Sequence, residues 1–545
     1  MTLSMRGRIA ALLAVLLAAA VLSLRPAYEP DLWWHLAQGR EDASGSIVRS
    51  NLFSFTSPEY RQTYTPWLFD LGVYEAWRIA GGTGVQALQA IALAVTLGLI
   101  ALAARIRAPA AAVTAAIVIG FFAIEPRAIP RPHLVSMAGI AFMVLLIERA
   151  RARGTAAPLM WAVPAVAVWS NLHSECVTGV GLIGLFGLVE LIRPATLSRP
   201  QAIRAVGVAA LAAAALLANP YGWGVLQYVF ENAGVPAMLN IAELARPHWP
   251  GYRGFFVFLA VAAVLLVSQP RRLTLWDTAV FAGAAALGLR FIRFTPIVVL
   301  VAAPMVASRL HTLLLRGVEP RALVATAIAV AVVASPVRVS HLVTDMRVGS
   351  AALEPEAIFS PAAMAFAREQ HLDGRVFNSN NLGGHVAWHL YPSARVFQDS
   401  RLQAYPPSHF AAILDAAESQ GRWDAIVSGV DWAVLSTPRP NALSGAGRFP
   451  QAAWATVFWD EALEVLVRRS GAHASLAATH GYRFLRPGID PYLVSTSVHG
   501  PDGSAILSEA RRQRAENPRG QSGAVVLCQS GERDACALVS RPGSQ

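Results

Sequence analysis

Long apolar runs separated by short polar turns occupy the chain from its N-terminus to about residue 337. The first run covers 9–24, and runs of this kind are typical of transmembrane helices. The later predicted spans lie near 83–104, 109–124, 133–147, 157–170, 176–192, 203–218, 254–268, 274–290, 294–310 and 321–337. The pattern therefore predicts a polytopic α-helical membrane domain, residues 1–337, with about eleven transmembrane helices.

Arginines at the ends of the apolar runs set the predicted orientation. Arg6 and Arg8 precede the first run, which places the N-terminus in the cytoplasm under the positive-inside rule. Arginines also collect at the predicted inward turns, for example Arg105 and Arg107, so an odd number of spans puts the C-terminus outside. A cleaved secretory signal is the alternative for the first run, but that run is long for a signal and no small-residue cleavage site precedes Arg25.

A polar loop and an amphipathic segment follow the first predicted span. Residues 25–65 are rich in turn-forming residues and are expected to form the first external loop. Residues 66–80 are apolar with Asp70, Glu75 and Arg78 interspersed, which predicts a helix lying at the membrane interface.

From about residue 338 the pattern changes to short strands and short helices. Ser360-Pro361 predicts a helix start, with serine as the cap and proline at the first position. Strands are predicted at 375–377, 394–397 and 431–435, a helix at 383–390, and a hairpin at 456–468 that turns at Asp460-Glu461. We therefore expect an extracytoplasmic α/β domain over residues 338–520, followed by a flexible Gly/Ser-rich tail over 521–545.

The composition agrees with a membrane protein and does not favour nucleic-acid binding. Of 545 residues, 54% are hydrophobic and 14% are charged, against about 25% charged in soluble proteins. The net charge of +11 comes from arginines, many of them at the ends of apolar runs, without the basic patch that nucleic acid requires.

The chain has three cysteines. Cys176 lies in an apolar run, whereas Cys528 and Cys536 are close together in the sequence. These two could form a disulfide if the tail is outside the cytoplasm, and the sequence leaves that question open.

The stretch Pro30–Arg40 places several chemically active side chains at the predicted outer boundary of the first span. Asp31 and His35 are four residues apart, so one turn of helix puts them on the same face. An acid with a histidine beside it can act as a general base. Trp34 in the same stretch is better explained as an interfacial anchor.

Further polar residues collect at the other predicted outward turns. The candidates for substrate binding are Arg40, Arg127, Arg131, His133, Asn171, His173, Glu175, Asn219, Tyr221, Arg290 and Arg293. Ionisable groups at membrane depth are costly unless they line a cavity, so together these turns predict a polar cavity that opens outward. Its arginines suit a phosphate, and Asp31 and Glu125 are the residues we expect to hold a divalent cation, magnesium or manganese.

Each of these residues also has a structural explanation when it is taken alone. His133 and His173 can be hydrogen-bonded core histidines, and Arg290 and Arg293 can reach lipid headgroups. The segment 219–221 can simply end a helix. The functional hypothesis depends on the location of all these groups at one face, because chance would scatter them across both.

This layout resembles the GT-C membrane glycosyltransferases, which include protein O-mannosyltransferases and the catalytic subunits of oligosaccharyltransferases. The shared features are a cytoplasmic N-terminus, an acid directly after the first span, an interfacial helix, many further spans and an outward α/β domain. The resemblance implies that Asp31 acts at the catalytic centre and that the donor sugar is carried on a polyprenyl phosphate or pyrophosphate. It also implies a bacterial cytoplasmic-membrane location.

The resemblance extends to the α/β domain. The stretches 378–385 and 395–401 are similar in layout to the oligosaccharyltransferase region that carries a Trp-Trp-Asp-Tyr-Gly motif, with Asn-Asn-Leu-Gly-Gly at 380–384 in its place. Asn380 and His385 are accordingly expected to bind the acceptor. Only Glu125 represents the second-loop pair of acids that the family uses for metal binding.

The resulting prediction is an inverting glycosyltransferase that uses a polyprenyl-phosphate sugar donor. The acceptor is an extracytoplasmic glycan, lipid or protein, and the remaining partner is membrane lipid. Two alternatives stay open, namely a non-catalytic GT-C-like binding or assembly subunit and a transporter or flippase of a lipid-linked substrate. No internal repeat or midplane charge pair of the kind that transporters show is found in the sequence.

Overall fold

The computed structural model consists of two compact units, which are described separately. The residues described are 24, 29–231, 241–334, 347–349, 353, 358–416, 418–437, 448–518 and 520–539. Unit 1 comprises Met1–Glu29, Gln38–Ile47 and Thr63–Leu353, and unit 2 comprises Pro30–Ala37, Val48–Gln62 and Glu354–Gln545. Helix α1 (Asp31–Asp42) contributes its first half to unit 2 and its second half to unit 1.

Unit 1 is helical throughout its described part. Its further helices are α2 (Trp67–Arg105), α3 (Ala110–Ile124), α4 (His133–Arg153), α5 (Ala162–Trp169), α6 (Cys176–Ile192), α7 (Arg199–Ala215), α8 (Gly224–Glu231), α9 (Arg253–Val267), α10 (Leu275–Arg290), α11 (Thr295–Leu314) and α12 (Pro320–Ala334). Short 3₁₀ turns lie between them, at Glu125–Arg127, Ala157–Trp161, Ala242–Leu244, Pro270–Arg272 and Ile292–Phe294. These turns and helix ends carry the polar residues considered below.

Four helical segments among the described residues are long and apolar enough to cross a membrane. They are Trp67–Arg105, Ala110–Arg127, His133–Arg153 and Ile292–Leu314. Several other apolar helices, including α6 and α9, are shorter than a typical span. The predicted count of eleven spans and their orientation remain predictions, and the first apolar run lies outside the described residues.

The segment 66–80 and the next predicted span form a single helix with a kink. Helix α2 departs from helical geometry at Ala80 and at Gly81, whose φ is +56°. A residue with a side chain is strained at such a φ, and glycine is not. The sequence break between the amphipathic and the apolar segments therefore corresponds to a kink, while the interfacial location of the first segment remains a prediction.

Buried ion pairs connect the turn between α2 and α3 with helices α4 and α10 in unit 1. Arg107 donates to Glu148 at 2.5 Å and to Asp277 at 3.1 Å, and Arg151 donates to Asp277 at 2.8 Å. The arginines that the sequence analysis assigned to membrane orientation thus also neutralise buried acids. Both arginines contact both acids, with Arg151 3.8 Å from Glu148, so removing one arginine would leave the buried acids incompletely neutralised and would lower stability.

Unit 2 is built on a five-stranded mixed sheet in the order β2-β1-β3-β5-β4. Its strands are β1 (Gly374–Asn378), β2 (Ala394–Val396), β3 (Trp432–Ser436), β4 (Trp454–Trp459) and β5 (Leu463–Arg468). The first three strands pair in parallel, and the β4–β5 hairpin adds antiparallel strands to β3. All strands that the sequence predicted are present, including the hairpin.

The helices of unit 2 surround this sheet. They are α13 (Pro361–Glu369), α14 (Gly383–Leu390), α15 (Pro407–Ala416), α16 (Gln420–Ile426), α17 (Ala474–His480), α18 (Pro491–Ser495), α19 (Gly503–Glu516), α20 (Gln521–Gln529) and α21 (Arg533–Cys536). The predicted start of α13 is confirmed, because the Ser360 hydroxyl accepts a hydrogen bond from the Ala363 N–H at 2.8 Å. Helix α14 has the bounds that the sequence predicted.

Within the expected flexible tail, residues 521–529 and 533–536 form two helices instead, and 540–545 lie outside the described residues. Within α20, residues 524–527 are buried, and Val526 and Leu527 belong to a core that includes Trp459 and Tyr482. Cys528 and Cys536 are joined by a disulfide. The prediction for 521–536 was wrong because the Gly/Ser content around this stretch obscured a short apolar run that needs a tertiary partner.

Part of the expected first external loop belongs to the fold of unit 2. Residues 48–62 belong to unit 2, and 53–55 lie beside β2, where the Val396 N–H donates to the Phe53 carbonyl at 2.9 Å and the Phe55 N–H donates to the Val396 carbonyl at 3.1 Å. The Asn51 amide donates to the Ala404 carbonyl at 2.9 Å. The stretch 25–65, which was expected to be a polar loop, therefore contains helix α1 and a segment that is hydrogen-bonded to unit 2.

Candidate functional site

The first residue of α1, Asp31, has a defined partner in unit 2. Its carboxylate accepts a hydrogen bond from the hydroxyl of Ser400, and its side chain is largely buried. An acid in the first turn of a helix is stabilised by the partial positive charge of the helix N-terminus. His35 lies one turn later on the same helix, as its spacing predicted, and its ring lies 3.6 Å from that of Trp34 between centroids.

The loop that carries Ser400 is held by one buried ion pair, which is formed by the residues on either side of Ser400. Arg401 donates to both carboxylate oxygens of Asp399, from Nε at 2.9 Å and from Nη2 at 2.7 Å. Both side chains are fully buried, and Arg401 Nη2 also donates to Asn51 Oδ1 at 2.8 Å. Bidentate pairing of this kind fixes the loop, so the Ser400 hydroxyl is presented to Asp31 from a rigid support.

The two glycines at the start of α14 allow close approach to two elements, Gly384 to α1 and Gly383 to the segment 398–399. A Cβ on Gly384 would lie 2.8 Å from the Trp34 nitrogen, and a Cβ on Gly383 would lie 2.0 Å from the Gln398 carbonyl oxygen. Neither distance is compatible with a side chain unless the backbone moves. The Gly-Gly pair therefore serves contact between the elements around Asp31.

The structure places His385 differently from the expectation that it binds an acceptor. Its side chain is fully buried, with its ring centroid 4.9 Å from that of Phe359 and 5.0 Å from that of Trp33. It is a core residue, because α14 turns this face toward α1. Asn380 lies on the 3₁₀ turn Asn380–Leu382 and is half-buried, which keeps it available as a candidate for acceptor binding.

In unit 1, the predicted arginines Arg127 and Arg131 converge on an acid that the sequence analysis did not single out. Arg127 Nη1 donates to Glu243 Oε1 at 2.9 Å, and Arg131 Nη1 donates to the same oxygen. Arg131 also pairs with buried Glu29 at 3.5 Å. Burial raises the pKa of Glu243, but Arg131 and Arg127 outweigh that effect and hold the pKa well below its usual range.

A second group of predicted residues forms around Glu175. Arg293 Nη2 donates to Glu175 at 3.1 Å, and His173 Nδ1 lies 3.5 Å from the same carboxylate. His173 Nδ1 also lies 2.6 Å from the Ser136 hydroxyl, which accepts a hydrogen bond from the Trp169 indole at 2.9 Å. Burial raises the pKa of Glu175, but His173 and Arg293 outweigh it and leave the carboxyl ionised.

The two groups are electrostatically connected. Arg293 also lowers the pKa of Glu243, and His133, whose Nε2 is hydrogen-bonded to the Arg127 carbonyl, lowers that of Glu175. Three of the predicted turns of unit 1 therefore contribute to one charged cluster. Its arginines were found from their position at the ends of apolar runs, whereas Glu243 had no such signal.

Other predicted residues serve mainly to hold helix ends. Asn171 accepts from the Trp67 indole at 2.8 Å and donates to the Ala218 carbonyl at 2.8 Å. Asn219 bonds within its own turn, with Oδ1 accepting from the Tyr221 N–H at 2.8 Å, and the Tyr221 hydroxyl lies 2.5 Å from that of Thr65. These contacts agree with the structural explanation for the three residues, and their role in substrate binding remains a prediction.

The remaining predicted residues lie elsewhere in unit 1. Arg40 pairs with its neighbour Glu41 at 3.2 Å. The Arg290 guanidinium lies over the Phe291 ring at 4.5 Å. Glu125 is buried at the start of its 3₁₀ turn.

The described residues contain no group of three or more histidine, cysteine, aspartate or glutamate side chains that could hold a metal ion. Protein sites for magnesium or manganese usually combine several oxygen ligands. A cation at Asp31 and Glu125 therefore remains a prediction from the sequence, and no chemical step below depends on it.

Comparison with known proteins identifies the fold. No family model matches the sequence, and no curated protein matches it. The oligosaccharyltransferase of Archaeoglobus fulgidus, solved with a tethered acceptor peptide containing the NVT sequon, matches with a TM-score of 0.52 at 13% identity, covering 78% of this chain and 69% of that one. ArnT from Cupriavidus metallidurans in the apo state matches with a TM-score of 0.52 at 15% identity, covering 85% of this chain and 98% of that one.

Both matches extend over most of the chain. At such low identity, they establish the architecture and leave the chemistry to the residues of this chain. The chain has the fold of the GT-C membrane glycosyltransferases.

Proposed function

We propose that this protein is a membrane glycosyltransferase that moves a sugar from a polyprenyl-phosphate carrier to an acceptor on the outer face of the membrane. The observation that carries the proposal is the carboxylate of Asp31, which is buried at the start of α1 and hydrogen-bonded by Ser400 in a GT-C fold. The archaeal relative in that comparison was solved with an acceptor peptide, which supports an acceptor outside the lipid phase.

In the proposed reaction, Asp31 accepts the proton of the acceptor nucleophile. The nucleophile forms a bond to the anomeric carbon of the sugar, and the bond from that carbon to the phosphate oxygen breaks. Attack from the face opposite the phosphate inverts the anomeric configuration, and the carrier leaves as polyprenyl phosphate. Ser400 acts as a positioning residue, because its hydroxyl orients the carboxylate that receives the proton.

The charge that develops on the departing phosphate requires cationic partners. In unit 1, Arg127 and Arg131 supply two guanidinium groups that point to one anion. Guanidinium groups bind phosphate oxygens with charge-assisted hydrogen bonds, and such preorganised donors stabilise charge in the transition state. These two arginines are therefore the residues proposed to hold the lipid phosphate.

Replacing Asp31 by asparagine tests the assignment. In a strain that lacks the native gene, Asp31→Asn should abolish the glycan product while the protein accumulates in the membrane at the wild-type level, because asparagine keeps the shape but cannot take the proton. Mass spectrometry of extracted glycans measures the product. Asp373→Asn, the same change at an exposed acid of unit 2, serves as the control and should retain full activity.

The outcomes separate the three candidate functions. Wild-type levels of product in Asp31→Asn would contradict the role of Asp31. If deletion of the gene leaves every glycan unchanged, the protein is not a transferase, and a binding subunit or a flippase becomes the better hypothesis.

A further inference from the structure

The cluster around Arg127 and Arg131 already contains an anion, and that anion belongs to the protein. A single oxygen of Glu243 accepts a hydrogen bond from Nη1 of each arginine. One oxygen shared by two guanidinium groups is also the arrangement that a bound phosphate oxygen would adopt. The carboxylate of Glu243 therefore occupies the position that the proposed function assigns to the donor phosphate.

The acids around this arginine pair differ in how firmly they are held. Glu29 is almost fully buried beside Arg131, with 3% of its side chain exposed. The side chain of Glu243 is 22% exposed and stands on a 3₁₀ turn of three residues, Ala242–Leu244. Beside that turn, the Ala245 carbonyl accepts a hydrogen bond from the Ile292 N–H at 2.9 Å. This hydrogen bond holds the backbone beside the turn, so it is the Glu243 side chain, which already reaches solvent, that can leave the arginines at a smaller cost than the buried side chain of Glu29.

The arginines need an anion at all times. Arg127 is 8% exposed, and a buried charge without a partner is strongly destabilising. A carboxylate that pairs with the arginines before the donor arrives removes this cost. It also means that the donor must replace an existing partner.

We propose that Glu243 competes with the donor phosphate for Arg127 and Arg131, and that binding of a lipid phosphate displaces its carboxylate from the arginine pair. This proposal rests on the proposed function, because it takes the arginine pair as the phosphate site. Displacement exchanges one set of charge-assisted hydrogen bonds for another, so Glu243 sets the affinity for the donor. It also keeps the arginines from retaining the spent carrier after transfer.

The test measures binding of polyprenyl phosphate to the purified full-length protein in nanodiscs by native mass spectrometry. Glu243→Gln removes the competing charge and should tighten binding about tenfold. Arg127→Gln and Arg131→Gln should each weaken binding by about tenfold or more. Glu75→Gln is the matched control, because Glu75 forms an exposed ion pair with Arg78 away from the cluster, and binding should not change.

A second variant and a second readout protect the test against misfolding. Glu243→Asp keeps the charge but is one methylene shorter, so it should give a smaller gain in affinity than Glu243→Gln. Inorganic phosphate should raise the melting temperature of Glu243→Gln more than that of the wild type. This holds even if the variant is less stable without phosphate, because phosphate then supplies the negative charge that Glu243 no longer gives to the arginine pair.

The possible failures are distinguishable. Unchanged or weaker binding in Glu243→Gln, together with lost binding in the arginine variants, would overturn the competition and leave the phosphate site intact. Unchanged binding in the arginine variants would overturn both the competition and the assignment of these arginines to the donor.

Discussion

At the scale of single residues, the surroundings of Asp31 depend on the stretch 399–401. The Asp399–Arg401 pair fixes the loop, and Ser400 between them reaches the catalytic candidate. The Tyr405 hydroxyl accepts a hydrogen bond from the Asp399 N–H at 2.9 Å, and the rings of Tyr405 and His409 are stacked 4.8 Å apart. The support of the site thus extends from the loop into an aromatic layer that includes a titratable residue.

The pH dependence of stability should show a contribution from His409. Burial lowers the pKa of His409 to about 4, with Asp399 acting in the opposite direction. In the unfolded chain, histidine titrates near its ordinary pKa of about 6.5. Between these values the unfolded state binds the additional proton, so stability falls as the pH falls from about 6.5 to about 4. Melting temperatures across this range should therefore decrease less in His409→Gln than in the wild type.

The control for this prediction is His499→Gln, the same change at an exposed histidine. In this variant, the melting temperature should fall with decreasing pH as much as it does in the wild type. An identical pH profile in His409→Gln and the wild type would show that His409 does not contribute.

At the scale of elements, α14 packs closely against α1, whose first residue, Asp31, contacts the loop that carries Ser400. Gly384 makes that approach possible, since a Cβ would meet the Trp34 nitrogen at 2.8 Å. The resemblance drawn from the sequence likens the stretch 380–384, which contains this Gly-Gly pair, to the five-residue motif of the oligosaccharyltransferases. In this chain, the clearest role of the pair is close packing.

Gly384→Ala should reveal this packing role. Alanine normally stabilises a helix relative to glycine by up to about 1 kcal/mol. Here, forced separation of α14 from α1 should instead lower the free energy of unfolding by about 1–3 kcal/mol. The same separation should reduce transferase activity. Thermal unfolding of the purified protein and glycan analysis measure the two effects.

Gly421→Ala is the matched control, because nothing lies within 4 Å of a Cβ at that helical position. It should leave stability unchanged or slightly increased. Equal effects of the two substitutions would contradict the packing role of Gly384.

At the scale of the whole molecule, the two comparisons establish a GT-C fold. The orientation of the chain in the membrane is predicted from the positions of its arginines. The positive-inside pattern predicts a cytoplasmic N-terminus and an external C-terminus. The disulfide between Cys528 and Cys536 is consistent with an oxidising compartment for the end of the chain.

Reporter fusions should confirm this orientation. Alkaline phosphatase fused to the C-terminus should be active, since that enzyme folds only outside the cytoplasm, and a fluorescent protein fused there should remain dark. Alkaline phosphatase fused after Arg153, at a predicted inward turn, should be inactive. The opposite pattern would place Asp31 in the cytoplasm and contradict an acceptor on the outer face.

The sequence by itself determined the membrane class, the GT-C resemblance and most elements of the α/β domain. Capping residues, strand alternation and apolar runs are local patterns, and they identified α13, α14 and the strands from neighbouring residues alone. The helical spacing of Asp31 and His35 was also available from the sequence. These features could be predicted because each is set by interactions within a few residues.

Only the tertiary structure decided which side chains meet. Asp31 and Ser400 are 369 positions apart, and Arg131 and Glu243 are 112 apart. Burial of His385 and burial of the apolar side chains of α20 likewise depend on surfaces supplied by distant segments. No local pattern records such partners, because their contact follows from the packing of whole elements and from the need to pair buried charges.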